Sequence, residues 1–131
     1  MIVVDASVVV TALADDSDDG DQARERLRGE RLTAPYLIDL EAASAWRRLA
    51  AAGDLDDRRA QLALEDLYAL RLERVPHRPL LSRCWELRDN LTLYDATYVA
   101  LAEVLRVTLL TADARLAAAS GIRCDIDLFR P

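Results

Sequence analysis

The sequence predicts a single α/β domain with three layers, α/β/α, in which helices flank a short, mainly parallel sheet. Short apolar runs alternate with longer helical segments along the whole 131-residue chain, as in strands that crossover helices bury on both faces. No repeat and no linker rich in glycine, proline or serine divides the chain, and its length suits one domain. Because 52% of the residues are apolar, the chain can bury a core without disulfides or a structural metal.

The N-terminal half contains the clearest strand and the clearest helix ends. Residues 1–5 form a β-branched run, Ser7 opens an apolar helix, and the acidic loop 15–21 leads into a polar helix. A brief strand stops at Pro35, and Gly53 ends the helix that follows it. In chain order we predict strand 1–5, helix 7–14, helix 21–28, strand 32–35, helix 36–52 and helix 56–70.

The C-terminal half continues the alternation of short strands and helices. Pro76 follows a short apolar run, and a second clear β-branched run, 107–111, comes after an apolar helix. In chain order we predict strand 72–75, helix 79–88, helix 94–105, strand 107–111, helix 114–119 and strand 122–126. Helical crossovers make neighbouring strands parallel, so the carboxyl ends of these strands should meet at one edge of the sheet.

The charged residues exclude several classes of function. All 17 cationic residues are arginines, which excludes mechanisms that need a lysine amine, such as Schiff bases and Walker A loops. The 23 acids give a net charge of −6, which argues against a protein that coats DNA phosphates. His77 is the only histidine and has no ligand-spaced partner, so serine and cysteine triads and most zinc sites are also excluded.

The N-terminal apolar run resembles a secretory signal only superficially. It lacks a basic start, and Asp5 interrupts it. No stretch approaches the roughly 20 apolar residues that span a bilayer. We therefore expect a cytoplasmic protein that does not enter membranes, in which Cys84 and Cys124 are reduced and inert.

Four acidic residues occupy positions where a solvated surface charge is not expected. Asp5 ends the first strand, and Asp113 lies just past the fourth predicted strand at the same edge of the sheet. Asp95 is predicted to open a helix and to face inward. Glu41 is predicted to lie in the middle of its helix, at the border of the apolar face. Each acid also has an ordinary interpretation, because the three aspartates could cap helices and Glu41 could pair with an arginine.

Taken together, these acids predict a metal site. Converging carboxylates repel one another, and a cation among them removes that cost. Oxygen ligands without histidine or cysteine select Mg²⁺, with Mn²⁺ as a substitute, and such an ion activates water and neutralises phosphate. Ser7 and Thr111 each lie two residues from an acid, and their hydroxyls either hold a metal-bound water or cap a helix.

Four sequence blocks carry these acids in an order that covers nearly the whole chain. They are Val-Val-Asp-Ala-Ser at 3–7, Ala-Pro at 34–35 with Glu41 six residues on, Leu-Tyr-Asp-Ala-Thr-Tyr-Val-Ala-Leu-Ala at 93–102, and Leu-Leu-Thr-Ala-Asp-Ala-Arg-Leu at 109–116. This pattern resembles the PIN-domain ribonucleases, specifically the VapC-type toxins of bacterial toxin–antitoxin pairs. The Tyr-Asp-Ala and Leu-Thr-x-Asp blocks together are the specific part of the resemblance.

The resemblance implies that residues 1–131 form one PIN domain with the activity of an endoribonuclease. The catalytic and metal-binding residues would be Asp5, Glu41, Asp95 and Asp113, with Ser7 and Thr111 at the hydroxyl positions. The implied reaction is Mg²⁺- or Mn²⁺-dependent hydrolysis of RNA by activated water, with one of the last two aspartates as proton acceptor. The implied partners are RNA, a second copy in a homodimer, and a VapB-like antitoxin whose tail covers the acidic groove, in some cases within a larger assembly.

The chain departs from the family pattern at two positions. Many relatives carry an acid or asparagine shortly after the last aspartate, where this chain has Arg115 and Leu116. A complete second metal site is therefore not implied, and Arg115 is assigned only a supporting role. On the helix of Glu41, Ser44 stands where family members often carry asparagine, a change that we expect to be tolerated.

Other α/β proteins with acids at strand ends match less well. Haloacid-dehalogenase-like phosphatases need a second aspartate where this chain has Ser7, and response-regulator receivers need a lysine. The alternative that stays open is a PIN-fold protein that binds RNA or a protein without cutting. A further one is a bare interaction module whose acids only cap helices, which predicts no stabilisation by Mn²⁺.

Overall fold

The computed structural model describes residues 1–131 and contains five strands, seven α-helices and one 3₁₀ turn. The strands are β1 (Ile2–Val4), β2 (Leu32–Pro35), β3 (Leu72–Val75), β4 (Leu109–Thr111) and β5 (Ile126–Leu128). The helices are α1 (Ala6–Ala14), α2 (Asp18–Leu27), α3 (Ile38–Ala51), α4 (Asp57–Ala69), α5 (Leu81–Glu86), α6 (Leu93–Leu105) and α7 (Ala114–Ala117). The 3₁₀ turn, Arg78–Leu80, leads directly into α5.

The strands form one sheet in the order β3-β2-β1-β4-β5, and every pair is parallel. Helix α1 packs against α2, α3 and α4, whereas α6 packs against α5 and across β1, β2 and β4. The chain adds β2 and β3 on one side of β1 and then crosses back to add β4 on the other side. Because crossovers between parallel strands are right-handed, this change of direction places α1 and α6 on opposite faces of the sheet. The predicted α/β/α architecture is confirmed.

The core joins the sheet to the helices in one cluster of 26 buried residues. Val3 and Val4 in β1 are fully buried, as are Leu109 and Leu110 in β4. Successive residues of a strand point to opposite faces, so burial of both members of each pair shows that helices cover both faces of the sheet. Seven consecutive residues of α6, 96–102, are also buried, so the middle of this helix is enclosed on every side.

Helices α2 and α3 begin two or more residues from their predicted starts, each for a local reason. Helix α3 begins at Ile38 rather than 36, because the amide of Tyr36 donates to the carbonyl of Val75 at 2.9 Å and prolongs the pairing of β2 with β3. Helix α2 begins at Asp18 rather than 21, because Ser17 precedes several aspartates that favour the positive end of a helix.

The last strand lies farther along the chain than predicted. The prediction of 122–126 is wrong, and β5 pairs with β4 from Ile126 onward. Gly121 has φ +89°, which begins a turn, and the amide of Arg123 donates to Glu103 at 2.9 Å. These contacts hold the preceding segment against α6 instead of the sheet. The predicted helix 79–88 also divides, into the 3₁₀ turn and the shorter α5.

The remaining expectations concern membranes and reactive side chains. None of the helices is both long enough and apolar enough to cross a membrane. Cys84 and Cys124 are both free thiols, and burial raises the pKa of each, that of Cys124 to about 11. Both therefore stay protonated and unreactive at neutral pH. His77 is exposed and lies at the start of the 3₁₀ turn.

Candidate active site

The strand order reverses between β1 and β4, and open parallel sheets bind ligands at the carboxyl edge of such a reversal. Asp5 directly follows β1, and Asp113 follows β4 by two residues. Helices α3 and α6 begin at the same edge and bring Glu41 and Asp95 to it, within electrostatic reach of Asp5. The four predicted acids therefore converge from four parts of the chain.

Asp5 is the most buried of these acids, with 6% of its surface exposed. Its Oδ2 accepts hydrogen bonds from Ser7 Oγ at 2.6 Å and from Thr111 Oγ1 at 2.8 Å. Burial raises the pKa of Asp5, the two hydroxyls lower it, and the charge of Asp113 raises it again. The side chain of Asp5 makes no cap hydrogen bond to α1, so helix capping does not explain this acid.

Ser7 and Thr111 connect the ends of β1 and β4. Ser7 Oγ accepts a hydrogen bond from the amide of Ala112 at 3.0 Å, and Thr111 Oγ1 accepts one from the amide of Asp113 at 3.0 Å. Each hydroxyl thus donates to Asp5 and accepts from the backbone that follows β4. Orientation of the Asp5 carboxylate is a role that the sequence analysis did not predict for them.

The prediction that Glu41 lies in the middle of its helix is wrong. Glu41 lies in the first turn of α3, because α3 begins only at Ile38. Its Oε1 accepts a hydrogen bond of 2.6 Å from the hydroxyl of Tyr98 on α6. Burial raises the pKa of Glu41, the bond from Tyr98 lowers it, and the charges of Asp5 and Asp95 raise it further. No arginine forms an ion pair with Glu41.

Tyr98 is a site residue that the sequence analysis missed. Its side chain is fully buried, and burial together with the charge of Glu41 raises the pKa of Tyr98 far above its ordinary value. The hydroxyl therefore stays protonated and can only donate to the carboxylate. Two signals could have found it: Tyr98 lies three residues after Asp95 on the same helix, and a buried tyrosine needs a hydrogen-bond partner.

Asp95 is half-buried in the first turn of α6. Thr92 precedes the helix as its N-cap, and Thr92 Oγ1 accepts a hydrogen bond from the amide of Asp95 at 3.1 Å. Burial raises the pKa of Asp95, and so do the charges of Asp5 and Asp113, whereas Thr92 and the charge of Arg115 lower it. Thr92 thus caps α6, and the carboxylate of Asp95 lies within electrostatic reach of Asp5 and Asp113.

Asp113 is the one acid of the four that caps a helix. Its Oδ1 accepts hydrogen bonds from the amides of Arg115 at 2.9 Å and Leu116 at 3.4 Å, in the first turn of α7. The guanidinium of Arg115 approaches the same oxygen at 3.8 Å, and its side chain is 90% exposed. The capping interpretation is therefore confirmed for Asp113 alone, and Arg115 lies at the edge of the site.

Asp5, Glu41 and Asp95 lack a cationic partner. None of them forms an ion pair, and the pKa of each is raised by burial and by the charge of another acid. As they are placed, no group of three or more acidic, histidine or cysteine side chains is arranged to hold a metal ion. The donor set still fits a hard divalent cation, because a cation among these oxygens would relieve the repulsion. Metal binding stays a prediction.

The chain matches the family model described as "PIN domain" over residues 2–122. Three similar proteins of Mycobacterium tuberculosis are named ribonucleases. Ribonuclease VapC1 is 45% identical over 129 residues, which cover 98% of this chain and 97% of that protein. Ribonuclease VapC9 is 45% identical over 126 residues (96% of each), and Ribonuclease VapC12 is 37% identical over 128 residues (98% of each).

Solved structures share the fold at lower identity. The structure of VapC20 from Mycobacterium tuberculosis, a toxin described as cleaving the sarcin–ricin loop, has a TM-score of 0.70 at 15% identity, covering 94% of this chain and 97% of that one. PAE2754 from Pyrobaculum aerophilum has a TM-score of 0.68 at 25% identity, with coverage of 95% and 87%. A toxin–antitoxin complex from Klebsiella pneumoniae has a TM-score of 0.63 at 16% identity, with coverage of 92% and 93%.

Proposed function

Because the chain belongs to the PIN domain family, as a VapC-type endoribonuclease toxin, we propose that its four converging acids bind Mg²⁺ and hydrolyse RNA phosphodiester bonds. One observation carries the proposal: at the reversal of the strand order, the buried Asp5 and the half-buried Glu41 and Asp95 form no ion pair. Elsewhere in the chain, six arginines form ion pairs, and one of them, Arg83, pairs with the partly buried Glu103.

The ligands of the ion would be the oxygens of these four acids, with Mn²⁺ as a substitute. Bound there, the ion supplies Lewis acidity that activates water and offsets negative charge on the phosphate. Ser7 and Thr111 keep the Asp5 carboxylate in one orientation, and Tyr98 does the same for Glu41. These contacts preorganise the site, because the ligands need not reorient when the substrate binds.

The proton of the attacking water goes to Asp95 or to Asp113. We favour Asp95 as the acceptor, because burial and the charges of Asp5 and Asp113 raise its pKa, which favours proton uptake. Asp113 already accepts two amide hydrogen bonds at Oδ1, which hold that oxygen at the end of α7. We therefore assign proton transfer to Asp95 in addition to ion binding, and ion binding with helix capping to Asp113.

A protein partner of the VapB type is part of the proposal, and a similar fold occurs in the toxin–antitoxin complex from Klebsiella pneumoniae. Next to Glu41, a cavity of about 330 Å³ is lined by Leu40 and Tyr94, of which 75% and 67% are exposed. Apolar side chains beside an acidic site suit an antitoxin segment that carries both apolar and basic residues.

We also propose a homodimer, or a larger assembly with antitoxin, in the cytoplasm. Leu81, Trp85 and Leu93 are 47%, 60% and 42% exposed and line one surface cavity on α5 and α6. An apolar surface of this kind is a suitable contact for a second copy of the chain.

The decisive experiment incubates the purified protein with RNA in Mg²⁺, in Mn²⁺ and in EDTA. We expect cleavage with either ion and none in EDTA, and cleavage that continues in EDTA would contradict the metal mechanism. A protein that binds RNA without cutting it in any of the three conditions would support the alternative of a silent PIN-fold module. Mapping of cleaved transcripts after brief expression would then identify the RNA.

A further inference from the structure

A cavity of about 450 Å³ opens beside Asp95. One side is formed by the loop 88–92, which leads from α5 into α6, and the other by the first turn of α7. Arg88 comes from the loop and Arg115 from α7, so two guanidinium groups line the space that Asp95 also lines. The reaction derived above uses neither of these side chains.

Both arginines keep most of their donors free. Arg88 forms no ion pair; its Nη1 donates to the carbonyl of Trp85 at 2.8 Å, and its guanidinium lies 4.6 Å from the centre of the Trp85 ring. Arg115 makes a single contact of 3.8 Å with Asp113, and 90% of its side chain is exposed. By contrast, Arg74 donates through both Nε and Nη2 to Asp39, which occupies its planar fork.

The loop that carries Arg88 is held in place by its own hydrogen bonds. The amides of Asn90 and Leu91 both donate to the carbonyl of Leu87 at 3.0 Å. The side chain of Asn90 donates to the carbonyl of Ser120 at 3.0 Å, which ties the loop to the segment after α7. The position of Arg88 relative to α7 is therefore set before any ligand arrives.

The charge of the lining favours an anion. Asp89 is the only carboxylate of the cavity besides Asp95, and it forms no ion pair with either arginine. When Asp95 is counted with the proposed metal site, the remaining charged groups of the cavity are the guanidinium groups of Arg88 and Arg115 and the carboxylate of Asp89. Guanidinium groups are planar forks that match phosphate oxygens, and this chain has no lysine that could take their place.

We infer that Arg88 and Arg115 together bind one backbone phosphate of the RNA, on the Asp95 side of the linkage that is cut. The inference rests on the proposed function, because Asp95 connects this cavity to the scissile position. Contacts to phosphate position a strand without reading its sequence. The two arginines are thus substrate-binding residues that hold the strand in line with the carboxylates, and they take no part in the chemical step.

The test compares two variants that remove the same charge. Arg88→Gln/Arg115→Gln removes the pair, and Arg58→Gln/Arg71→Gln removes two exposed arginines that form no ion pair and do not line this cavity. Each is made in the Asp5→Asn background, so that RNA is bound but not cut. The probe is a fluorescein-labelled single-stranded RNA 20-mer of random sequence, and its Kd is measured at several salt concentrations. Thermal unfolding verifies that each variant is folded.

For the Arg88/Arg115 variant we expect Kd to rise by roughly tenfold or more, and the slope of log K against log salt to fall by about 0.7, the value for one phosphate contact on a single strand. The control variant should change Kd by less than about twofold. In the cleavage-competent protein, the same pair of substitutions should raise KM and leave kcat nearly unchanged, since the interaction is equal in the ground and transition states.

Two outcomes would overturn the inference: equal Kd values and slopes for the two variants, or no binding of the probe by the Asp5→Asn protein at low salt. These outcomes are separable from failure of the proposed function. A chain that cuts RNA with or without both arginines, at unchanged KM, keeps the function and contradicts the phosphate site. A chain that binds the probe through both arginines but never cuts RNA keeps the phosphate contact and contradicts the endoribonuclease.

Discussion

The hydroxyl of Tyr98 and the carboxylate of Glu41 are joined by a hydrogen bond of 2.6 Å that connects α6 to α3. It is the one side-chain hydrogen bond that Glu41 receives, and it acts against the repulsion from Asp5 and Asp95. A ligand on one helix is therefore oriented by a buried donor on another, so the geometry of the site depends on how the two helices pack.

Replacement of Tyr98 by phenylalanine removes this bond and keeps the ring. We expect RNA cleavage to fall by about 10- to 100-fold, because loss of a group that orients a metal ligand has effects of that size. The free energy of unfolding should fall by about 1–2 kcal/mol. Cleavage rates and urea unfolding measure the two effects. Tyr68→Phe is the matched control, since Tyr68 is 82% exposed, and equal effects of the two variants would contradict the positioning role.

Replacement of Asp5 by asparagine should separate activity from stability. At pH 7 an ionised Asp5 opposes folding, since its raised pKa shows that the folded protein favours the protonated carboxyl. The amide keeps an oxygen for Ser7 and Thr111 and carries no charge. We therefore expect cleavage to be lost while the melting temperature is unchanged or higher.

The matched control for that variant is Asp39→Asn. Asp39 lies outside the site and accepts a bidentate hydrogen bond from Arg74, so its substitution should lower stability by up to about 1 kcal/mol and leave cleavage intact. The assignment of Asp5 would be wrong if Asp5→Asn kept its activity, or if it unfolded the protein more than Asp39→Asn does.

Divalent metal should stabilise the folded protein. An ion that binds only the folded state at about one hundred times its Kd adds about 2.7 kcal/mol to the free energy of unfolding. We expect Mn²⁺ to raise the melting temperature of the unsubstituted chain, EDTA to reverse the rise, and Asp95→Asn to reduce it. An equal rise in the Asp95→Asn variant would place the ion elsewhere, and no rise at all would contradict the proposed metal site.

Glu103 on α6 lies outside the candidate active site, and its environment predicts that the stability of the chain depends on pH. Burial opposes its ionisation, but hydrogen bonds from Arg83 and from the amide of Arg123 outweigh it and lower the pKa of Glu103. A lowered folded-state pKa adds stability that is complete above the unfolded value of about 4.3 and is lost as pH falls through the folded value.

Glu103→Gln should therefore lower stability by about 1–2 kcal/mol at pH 7, and the difference from the unsubstituted chain should shrink below about pH 4. Urea midpoints measured between about pH 7 and pH 3 provide the comparison. Glu65→Gln, at an exposed position without an ion pair, should show no such trend. A penalty that stays constant with pH would contradict the role of the charge.

Much of the site could be predicted from sequence, because strand ends are local features. Asp5 and Asp113 follow short apolar runs, and parallel pairing is enough to bring two such ends to one edge. The predictions that were wrong concern features set by contacts between distant segments of the chain. The start of α3, and with it the position of Glu41, is set by the pairing of Tyr36 with Val75, which no helical periodicity reveals.

Two residues that the sequence analysis missed, Tyr98 and Arg88, also depend on contacts that a sequence pattern does not show. Tyr98 lies among seven buried positions of α6, where an aromatic residue has the pattern of a core residue and its hydroxyl leaves no trace in the apolar periodicity. Arg88 has the sequence pattern of a solvated surface charge. Its role in the proposed phosphate site follows only from its place in the same cavity as Arg115. The sequence therefore predicts where acids converge, and packing decides which neighbours orient them.

The enclosure of α6 has a consequence for motion. Fraying of its exposed ends does not open the buried middle of α6, so the amides at 98–102 should exchange with solvent only when the whole chain unfolds. Tyr98 belongs to that slowest-exchanging unit and Asp95 lies one turn before it, whereas the loop 88–92 lies at the surface. We therefore expect the carboxylates to keep their positions when a ligand binds, and the proposed RNA substrate to adapt its conformation to them.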